Sequence, residues 1–192
     1  PFIHRTPILT SSFFNAKSGA EVYFKCENFQ KMGAFKMRGA ASAMAVLTEE
    51  QKAKGVVTHS SGNFAQAVAL AASKMEVKSY IVMPENAPAV KKEAVKGYGG
   101  EVIECESTAQ AREAKAAELV DELGGTFLHP SNDLDVIIGQ GTAAMELIED
   151  HPDLDYIMAP VGGGGLIAGA CLAAHYFTQH TKVVGAEPAN AD

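Results

Sequence analysis

The sequence predicts an α/β protein in which mostly parallel strands form sheets that helices cover on both faces. Short runs rich in β-branched and aromatic residues alternate with helical stretches along nearly the whole chain. Two glycine-bearing loops each follow a predicted strand and lead into a predicted helix. The composition, 47% hydrophobic and 20% charged residues, is that of an ordinary globular protein. Alternating strands and helices favour parallel sheets, because parallel strands need a crossover connection that is usually a helix.

Each element is assigned from its local pattern. Strands are expected where β-branched and aromatic residues cluster between turn residues; in chain order these are 21–26, 55–58, 79–83, 101–104, 126–128, 156–161 and 182–186. Helices are expected where apolar residues recur three or four positions apart; in chain order these are 35–47, 63–74, 87–96, 108–123, 139–150 and 165–179. The compact β/α units within 55–131 indicate a small domain, with 1–54 and 132–192 forming a larger one.

Charge and residue usage exclude several classes of function. A net charge of −7 without any basic run argues against binding nucleic acid. The uncharged stretch 156–174 approaches the length of a membrane span, but Pro160 and the glycines would break such a helix, so no membrane segment is expected. The three cysteines lie far apart without metal-binding spacing, which predicts buried free thiols in a reducing, cytoplasmic compartment. Because the chain starts at Pro1 and stops just after a strand, it is expected to be truncated at both ends.

Four consecutive glycines, Gly162, Gly163, Gly164 and Gly165, separate a buried strand from a helix rich in small residues. Residues without a β-carbon let successive N–H groups approach an anion, and the helix N-terminus adds the positive end of its dipole. The pattern favours a cradle for a single phosphate. Two alternatives stay open: a dinucleotide fingerprint, with Glu187 ending the next strand as the ribose-binding carboxylate, and a plain strand-to-helix turn.

Two further segments carry polar groups at comparable junctions. Ser60, Ser61 and Asn63 lie between a strand and a helix, where hydroxyls, an amide and free N–H groups suit a carboxylate, although an ordinary capping turn has the same composition. Lys36 has apolar neighbours at a loop-to-helix junction, where desolvation lowers the pKa of an amine. A nucleophilic lysine, a phosphate loop and a carboxylate loop together describe pyridoxal phosphate holding an amino acid.

The segments ENFQKMGAFKMRGA, THSSGN, GQGTAAMEL and PVGGGGLIAG, in that order, resemble the fold type II pyridoxal-phosphate enzymes of the tryptophan synthase β-like class, in the branch of serine racemase and threonine/serine dehydratase. The resemblance covers nearly the whole chain and implies that residues 1–54 and 132–192 form the cofactor-binding domain. It implies that Lys36 forms the Schiff base with the cofactor, Phe35 packs on its ring, Asn63 bonds the ring hydroxyl and the four glycines bind its phosphate. It also implies that Ser60, Ser61 and Asn63 take the substrate carboxylate.

The implied activity is that of an ammonia-lyase, in which Lys36 removes the α-proton of L-serine, L-threonine or a similar β-hydroxy amino acid. Loss of the β-hydroxyl then leads to a 2-oxo acid and ammonia. Racemase members have a serine at the position of Ser61, which serves the opposite face of the α-carbon, so a serine racemase with side dehydratase activity is the alternative. A NAD-dependent oxidoreductase is the distant alternative, in line with the dinucleotide interpretation of the glycine loop.

The chain departs from the family pattern in two places and carries one further hint. Ala34 and Phe64 stand where relatives commonly have serine and histidine, and Phe64 is expected to reshape the side-chain pocket. The segment EPANAD resembles the site where racemases bind Mg²⁺ or a similar cation such as Mn²⁺ or Ca²⁺, which implies Glu187 and Ala191 as ligands. A homo-oligomer, dimer or tetramer, is expected by the same resemblance.

Overall fold

The computed structural model describes residues 1–190, which contain three separate sheets and the helices that cover them. The strands are β1 (Ile8–Thr10), β2 (Tyr23–Lys25), β3 (Val56–His59), β4 (Ser79–Pro84), β5 (Glu101–Cys105), β6 (Thr126–Phe127), β7 (Tyr156–Pro160) and β8 (Lys182–Ala186). The helices are α1 (Ser12–Ser18), α2 (Lys36–Ala45), α3 (Glu49–Lys54), α4 (Asn63–Lys74), α5 (Ala89–Gly97), α6 (Ala109–Leu123), α7 (Leu134–Asp150) and α8 (Gly165–Phe177). Two short 3₁₀ helices, Glu27–Phe29 and Lys31–Gly33, precede α2.

The largest sheet has four parallel strands in the order β5-β4-β3-β6. Its two central strands, β3 and β4, are largely buried on both faces, to which their side chains point alternately. Val56 and Ile81 belong to the core shared with α2 and α4, whereas Val57 and Val82 pack against α6. The prediction of parallel strands covered by helices on both faces is confirmed here.

The other two sheets have two strands each. Strands β7 and β8 pair in parallel, and β1 and β2 pair antiparallel. Side chains of β7 alternate between buried and exposed, with Ile157 buried and Met158 70% exposed. The sheet therefore packs on α8 through one face only, through the core that joins Ile157 to Ala170 and Ala173.

Helices α2 and α8 both pack against helix α7. Its Gly139 lies so close to α2 that a Cβ there would be 2.5 Å from the carbonyl oxygen of Arg38. On the side of α8, a Cβ at Gly141 would be 2.6 Å from the carbonyl oxygen of Gly169. These glycines are required because backbone rather than flexible side chain fills the space. The helix that begins with Lys36 and the helix that follows the glycine loop are thereby fixed to one common element.

A buried ion cluster also ties α2 to α7 and to the N-terminal segment. Arg38 is 1% exposed and donates two hydrogen bonds of 2.8 Å to Glu27 and bonds of 2.7 and 2.9 Å to Glu146. Lys25 lies 2.7 Å from Glu146, and the Thr6 hydroxyl donates a 2.6 Å bond to Glu27. Burial would by itself raise the pKa of Glu146, but Arg38 and Lys25 lower that pKa overall. Each carboxylate in the cluster is thus paired, as buried charges require.

Several elements differ from the sequence-based expectation. Helix α7 begins at Leu134 rather than 139, because the Asp133 carboxylate accepts from the N–H groups of Asp135 and Val136. Strand β1 and helices α1 and α3 were not anticipated. Helix α3 has a full capping box, in which Thr48 and Gln51 bond each other's backbone N–H groups, and its T-x-x-Q signature is present in the sequence.

The cysteines were expected to be buried, which is wrong: Cys171 is exposed, and Cys26 and Cys105 are partly exposed free thiols. The uncharged stretch 156–174 is split between strand β7 and helix α8. Among residues 1–190, helices with both the length and the apolar character to cross a membrane are absent.

Candidate active site

Lys36 is the first residue of helix α2, and its side chain is half-buried between two aromatic rings. Its Nζ lies 5.3 Å from the ring centroid of Phe35 and 5.6 Å from that of Phe64, and it donates a 2.8 Å hydrogen bond to the carbonyl oxygen of Pro130. Burial lowers the pKa of Lys36, because the ammonium loses hydration. The amine is therefore more readily available in its neutral, nucleophilic form than that of an exposed lysine.

The backbone just before Lys36 is held in an uncommon conformation. Met32 has φ 56° and Gly33 has φ 77°, both in the left-handed region, which costs free energy for a residue with a side chain. The Gly33 N–H donates a 2.8 Å bond to the carbonyl of Gln30, whose buried side chain in turn bonds the backbone of His4. This tight connection directs the chain into α2 and so fixes the position of Lys36, the first residue of that helix.

The acceptor of Lys36 belongs to a turn, 129–132, between β6 and α7. The Nδ1 atom of His129 accepts hydrogen bonds from the N–H groups of Ser131, at 3.1 Å, and Asn132, at 2.9 Å. Because β6 pairs in parallel with β3, this turn leaves the sheet at the same edge as the loop that begins at Ser60. Sequence reasoning missed the turn, although a histidine, a proline and two polar residues directly after a predicted strand were a usable signal.

The four glycines connect β7 to α8 as expected. Gly164 is the residue before the helix, has φ 83° and offers no side chain to cap the helix. Positions for a Cβ at Gly162 and Gly164 have no atom within 4 Å, so the loop faces open space. A Cβ at Gly163 would be 2.7 Å from Oγ of Ser131, which places the 129–132 turn directly against the loop. Free N–H groups at an uncapped helix start, with room beside them, fit a phosphate.

The segment 60–63 lies at the carboxyl end of β3, the central part of the four-stranded sheet. The Ser60 N–H bonds the Val82 carbonyl, and its hydroxyl accepts from the Gly62 N–H at 3.2 Å. Helix α4 begins after Gly62 without a side-chain cap, in contrast to α6 and α7, which Thr108 and Asp133 cap. The segment is therefore not an ordinary side-chain capping turn, and its N–H groups suit an anion.

Phe64, which stands where the family pattern commonly has histidine, packs into the core. Its ring is 2% exposed and belongs to the core between α2 and α4. There it forms one wall around Lys36. The expectation that Phe64 reshapes the substrate side-chain pocket stays a prediction.

Only one of the two expected cation ligands lies among the described residues. Glu187 is exposed just after β8, and Ala191 lies outside the described residues. Within residues 1–190 there is no group of three or more His, Cys, Asp or Glu side chains that could hold a metal ion. The Mg²⁺ site thus stays a prediction from resemblance.

Comparison with known proteins identifies the family of the chain. The family model described as pyridoxal-phosphate dependent enzyme matches residues 1–192. The chain belongs to this family. The cofactor that names the family carries a phosphate, and the uncapped glycine loop has open space beside it.

Similar proteins include racemases and lyases. The chain is 50% identical over 191 residues to a serine racemase of Dictyostelium discoideum, covering 100% of this chain and 59% of that protein. It is 50% identical over 192 residues to a β-hydroxyaspartate dehydratase of Paracoccus denitrificans, covering 100% and 61%. The crystal structure of the Dictyostelium serine racemase aligns with TM-score 0.95 over 98% of this chain and 61% of that one. A threonine deaminase of Solanum lycopersicum, 36% identical, aligns with TM-score 0.94 over 99% and 55%.

The chain thus spans about three fifths of the length of the curated relatives it matches. The fold of the family is present in it with the lysine, the glycine loop and segment 60–63 on one connected framework. Helix α7 and the 129–132 turn connect the lysine to the glycine loop, through contacts to Arg38, Gly163 and Gly169 and the hydrogen bond to Lys36. Helix α4, which follows segment 60–63, shares a core with α2.

Proposed function

We propose that the protein containing this chain is a pyridoxal-phosphate-dependent ammonia-lyase. Its substrate is L-threonine, L-serine or a similar small β-hydroxy amino acid such as hydroxyaspartate, and its products are a 2-oxo acid and ammonia. The observation that carries the proposal is the environment of Lys36: a half-buried amine of lowered pKa between two aromatic rings, in a family defined by this cofactor. The names of similar proteins, a β-hydroxyaspartate dehydratase and a threonine deaminase, support the reaction class.

In this proposal the residues of the chain divide the work of holding the cofactor. Lys36 would hold it covalently through Nζ, Phe35 would pack on its ring, and Asn63 would bond the ring hydroxyl. The backbone N–H groups of 162–165 would bind its phosphate. When bound, pyridoxal phosphate supplies an electron sink that stabilises negative charge at the substrate α-carbon.

The remaining steps belong to side chains and backbone. The N–H and hydroxyl groups of Ser60, Ser61 and Asn63 orient the substrate carboxylate at the uncapped start of α4. Nζ of Lys36, which the substrate amine would displace from the cofactor, would then be free as a neutral amine to take the α-proton, for which its lowered pKa suits it. The Phe35 and Phe64 rings limit the access of water to that amine, which keeps proton transfer at Nζ.

Serine racemase activity is the second candidate, favoured by Ser61 and by the serine racemase relatives. Racemisation needs a second proton carrier on the face of the α-carbon opposite Lys36. The Ser61 hydroxyl is proposed for that role. Elimination and racemisation share the proton transfer at Lys36 and differ only in the fate of the α-carbon after that transfer.

One assay on the full-length protein tests both candidates. L-serine, L-threonine and L-threo-3-hydroxyaspartate are supplied separately, and both the 2-oxo acid and the D-amino acid are measured. Lys36→Ala should lower both products by more than the about 10²–10⁴-fold that acid–base catalysis alone contributes. Ser61→Ala should abolish D-serine and lower pyruvate far less, because the backbone N–H groups still orient the substrate carboxylate. Turnover that survives Lys36→Ala contradicts the lysine assignment, and equal loss of both products in Ser61→Ala contradicts the role of Ser61.

Four finer features are proposed from the resemblance. Mg²⁺ or a similar cation binds through Glu187 and Ala191, and the protein is a dimer or tetramer in the cytoplasm. Residues 55–131 form a small domain that closes over the substrate, and 1–54 with 132–192 form the cofactor-binding domain. The four-stranded sheet, which lies wholly within 56–127, supports this division.

A further inference from the structure

The 129–132 turn touches both halves of the proposed cofactor site. Its Pro130 carbonyl accepts the 2.8 Å hydrogen bond from Lys36 Nζ. Its Ser131 lies against the glycine loop, where a Cβ at Gly163 would be 2.7 Å from Oγ of Ser131 and one at Gly165 would be 3.1 Å from Cα of Ser131. A shift of this turn would therefore move the partner of the lysine and the backing of the phosphate loop together.

The two ends of the turn are fixed by other elements. Before it, the Leu128 N–H bonds the Val57 carbonyl, and the Thr58 hydroxyl bonds the Leu128 carbonyl at 2.7 Å. After it, Asp133 caps helix α7. The backbone between these anchors has no strand or helix partners, so its conformation depends on local hydrogen bonds.

His129 supplies those bonds. Its Nδ1 accepts from two successive N–H groups, those of Ser131 and Asn132. An Nδ1 that accepts must be unprotonated, with the ring proton on Nε2. The ring packs edge-on against both His59 and Phe127, at centroid distances of 5.8 and 6.2 Å.

We propose that His129 is a positioning residue of the cofactor site. It acts through Nδ1, which holds the turn so that Pro130 faces Lys36 and Ser131 backs the glycine loop. The inference rests on the proposed function, since it assigns Lys36 and the glycines to one cofactor. The role requires an acceptor atom at the position of Nδ1 and does not require an imidazole as such.

Two substitutions of similar size separate these requirements. Asn places its Oδ1 where Nδ1 of the histidine stands, on the atom after Cβ, and so keeps the acceptor. Leu fills similar space with a methyl group that accepts nothing. His129→Asn and His129→Leu, made in the full-length protein stripped of cofactor, therefore differ mainly in the hydrogen bonds to Ser131 and Asn132.

Absorbance titrations give the dissociation constants of pyridoxal phosphate and of pyridoxal, which lacks the phosphate. His129→Leu should weaken pyridoxal phosphate binding by about tenfold or more, the factor for one lost net hydrogen bond. It should also reduce the dissociation constant of pyridoxal divided by that of pyridoxal phosphate. This ratio measures the affinity gained through the phosphate, and the glycine loop would lose the contact with Ser131 that supports it. His129→Asn should stay within about threefold of wild type on both counts, as about 0.6 kcal/mol corresponds to that factor.

Other outcomes overturn the proposal. It is wrong if His129→Leu binds both compounds as wild type does, or if His129→Asn is as weak as His129→Leu. It is also wrong if His129→Leu weakens both equally, since a general loss of stability would leave their ratio unchanged. If His129→Leu does not fold, His129→Gln takes its place, because its acceptor stands one atom further out and should fail where His129→Asn succeeds. No substrate is used, so a protein that binds the cofactor without acting on β-hydroxy amino acids disproves the proposed reaction and leaves this test intact.

Discussion

Helix α2, which carries Lys36, and helix α8, which follows the glycine loop, are anchored in different ways. Seven of the ten residues of α2 are buried, among them Arg38, and the helix lies between α4 and α7. Only five of the thirteen residues of α8 are buried, all of them glycine or alanine, and Tyr176 is 74% exposed at its end. The lysine is thus supported by a filled core and the glycine loop chiefly by backbone conformation and close backbone contacts.

This difference teaches where substitutions should be felt. On the lysine side, a changed side chain disturbs buried partners, so the cost should appear in the free energy of unfolding. On the glycine side, the loop faces open space and can relax, so the cost should appear in binding of an anion. The 129–132 turn is the place where the two sides meet, through Lys36 and Gly163.

The largest expected effect is that of Arg38→Leu on the lysine side. It leaves Glu27 and Glu146 without their bidentate partner in a buried site. Lys25 still pairs with Glu146, so one carboxylate of the cluster is left uncompensated, and removing one member of a buried ion pair costs about 3–5 kcal/mol. Urea unfolding of the protein should show a decrease of this size in the free energy of unfolding.

Arg5→Leu is the matched control for that experiment. Arg5 also bonds two acidic side chains, Glu149 and Asp150, but it and its partners are 45–50% exposed. Exposed pairs contribute about 0–1 kcal/mol each. A loss at Arg5 as large as that at Arg38 would contradict the view that burial gives the lysine side its stability.

The second expected effect compares two glycines of the same conformation. Gly33, before α2, and Gly164, before α8, have φ of 77° and 83°, and neither has an atom within 4 Å of a Cβ position. An alanine in this region of φ costs about 1–2 kcal/mol without any clash. Gly33→Ala should lose that amount in the free energy of unfolding, because Gln30 and the core hold its turn. Gly164→Ala should instead weaken pyridoxal phosphate binding about tenfold, since its open loop relaxes when no ligand is bound.

The two alanine variants are measured by urea unfolding without cofactor and by cofactor titration. If Gly164→Ala lost stability but kept its affinity, the glycine loop would be as firmly held as the lysine turn. If Gly33→Ala lost affinity alone, its turn would be a ligand-dependent element. Either result would remove the contrast between the two sides.

The range of each interaction decides whether the sequence could predict it. The glycine loop and the apolar setting of Lys36 depend on residues adjacent in the chain, and strand β8 and helix α4 have the predicted bounds. Pro130 lies 94 positions from Lys36, and Glu146 lies 108 from Arg38. Such pairs arise when elements far apart in the chain pack together. Local periodicity and spacing do not predict them. Helix α3 is different, since its capping signature at Thr48 is local and could have predicted it.

The helix bounds that failed also have a physical reason. The run of apolar residues in α7 begins at Val136, and the glycines at 139 and 141 lower the helix propensity of the segment. Capping by Asp133 and contact with α2 and α8 override that weakness. Sequence reasoning therefore placed both loops between the strands and helices that the structure shows, and it missed the start of helix α7.

The smallest expected effect is a dependence of stability on pH that comes from Lys36. Because burial lowers its pKa in the folded chain, the unfolded chain binds more protons between that pKa and the ordinary value of 10.5. Stability rises with pH wherever the unfolded state binds more protons. The free energy of unfolding of the cofactor-free protein should therefore increase from pH 7 to about 10.5 relative to Lys36→Met, which does not titrate there.

Taking the difference between the two proteins removes the contribution of all other titrating groups that they share. An upward slope of that difference means that the lost hydration of the ammonium outweighs its attraction to the Phe35 and Phe64 rings and to the Pro130 carbonyl. A downward slope would mean that these attractions dominate, and Lys36 would then be held as a cation until a ligand arrives. In that case Lys36 would remain protonated in the empty site. The buried core around it would then orient the amine and would not favour its neutral form.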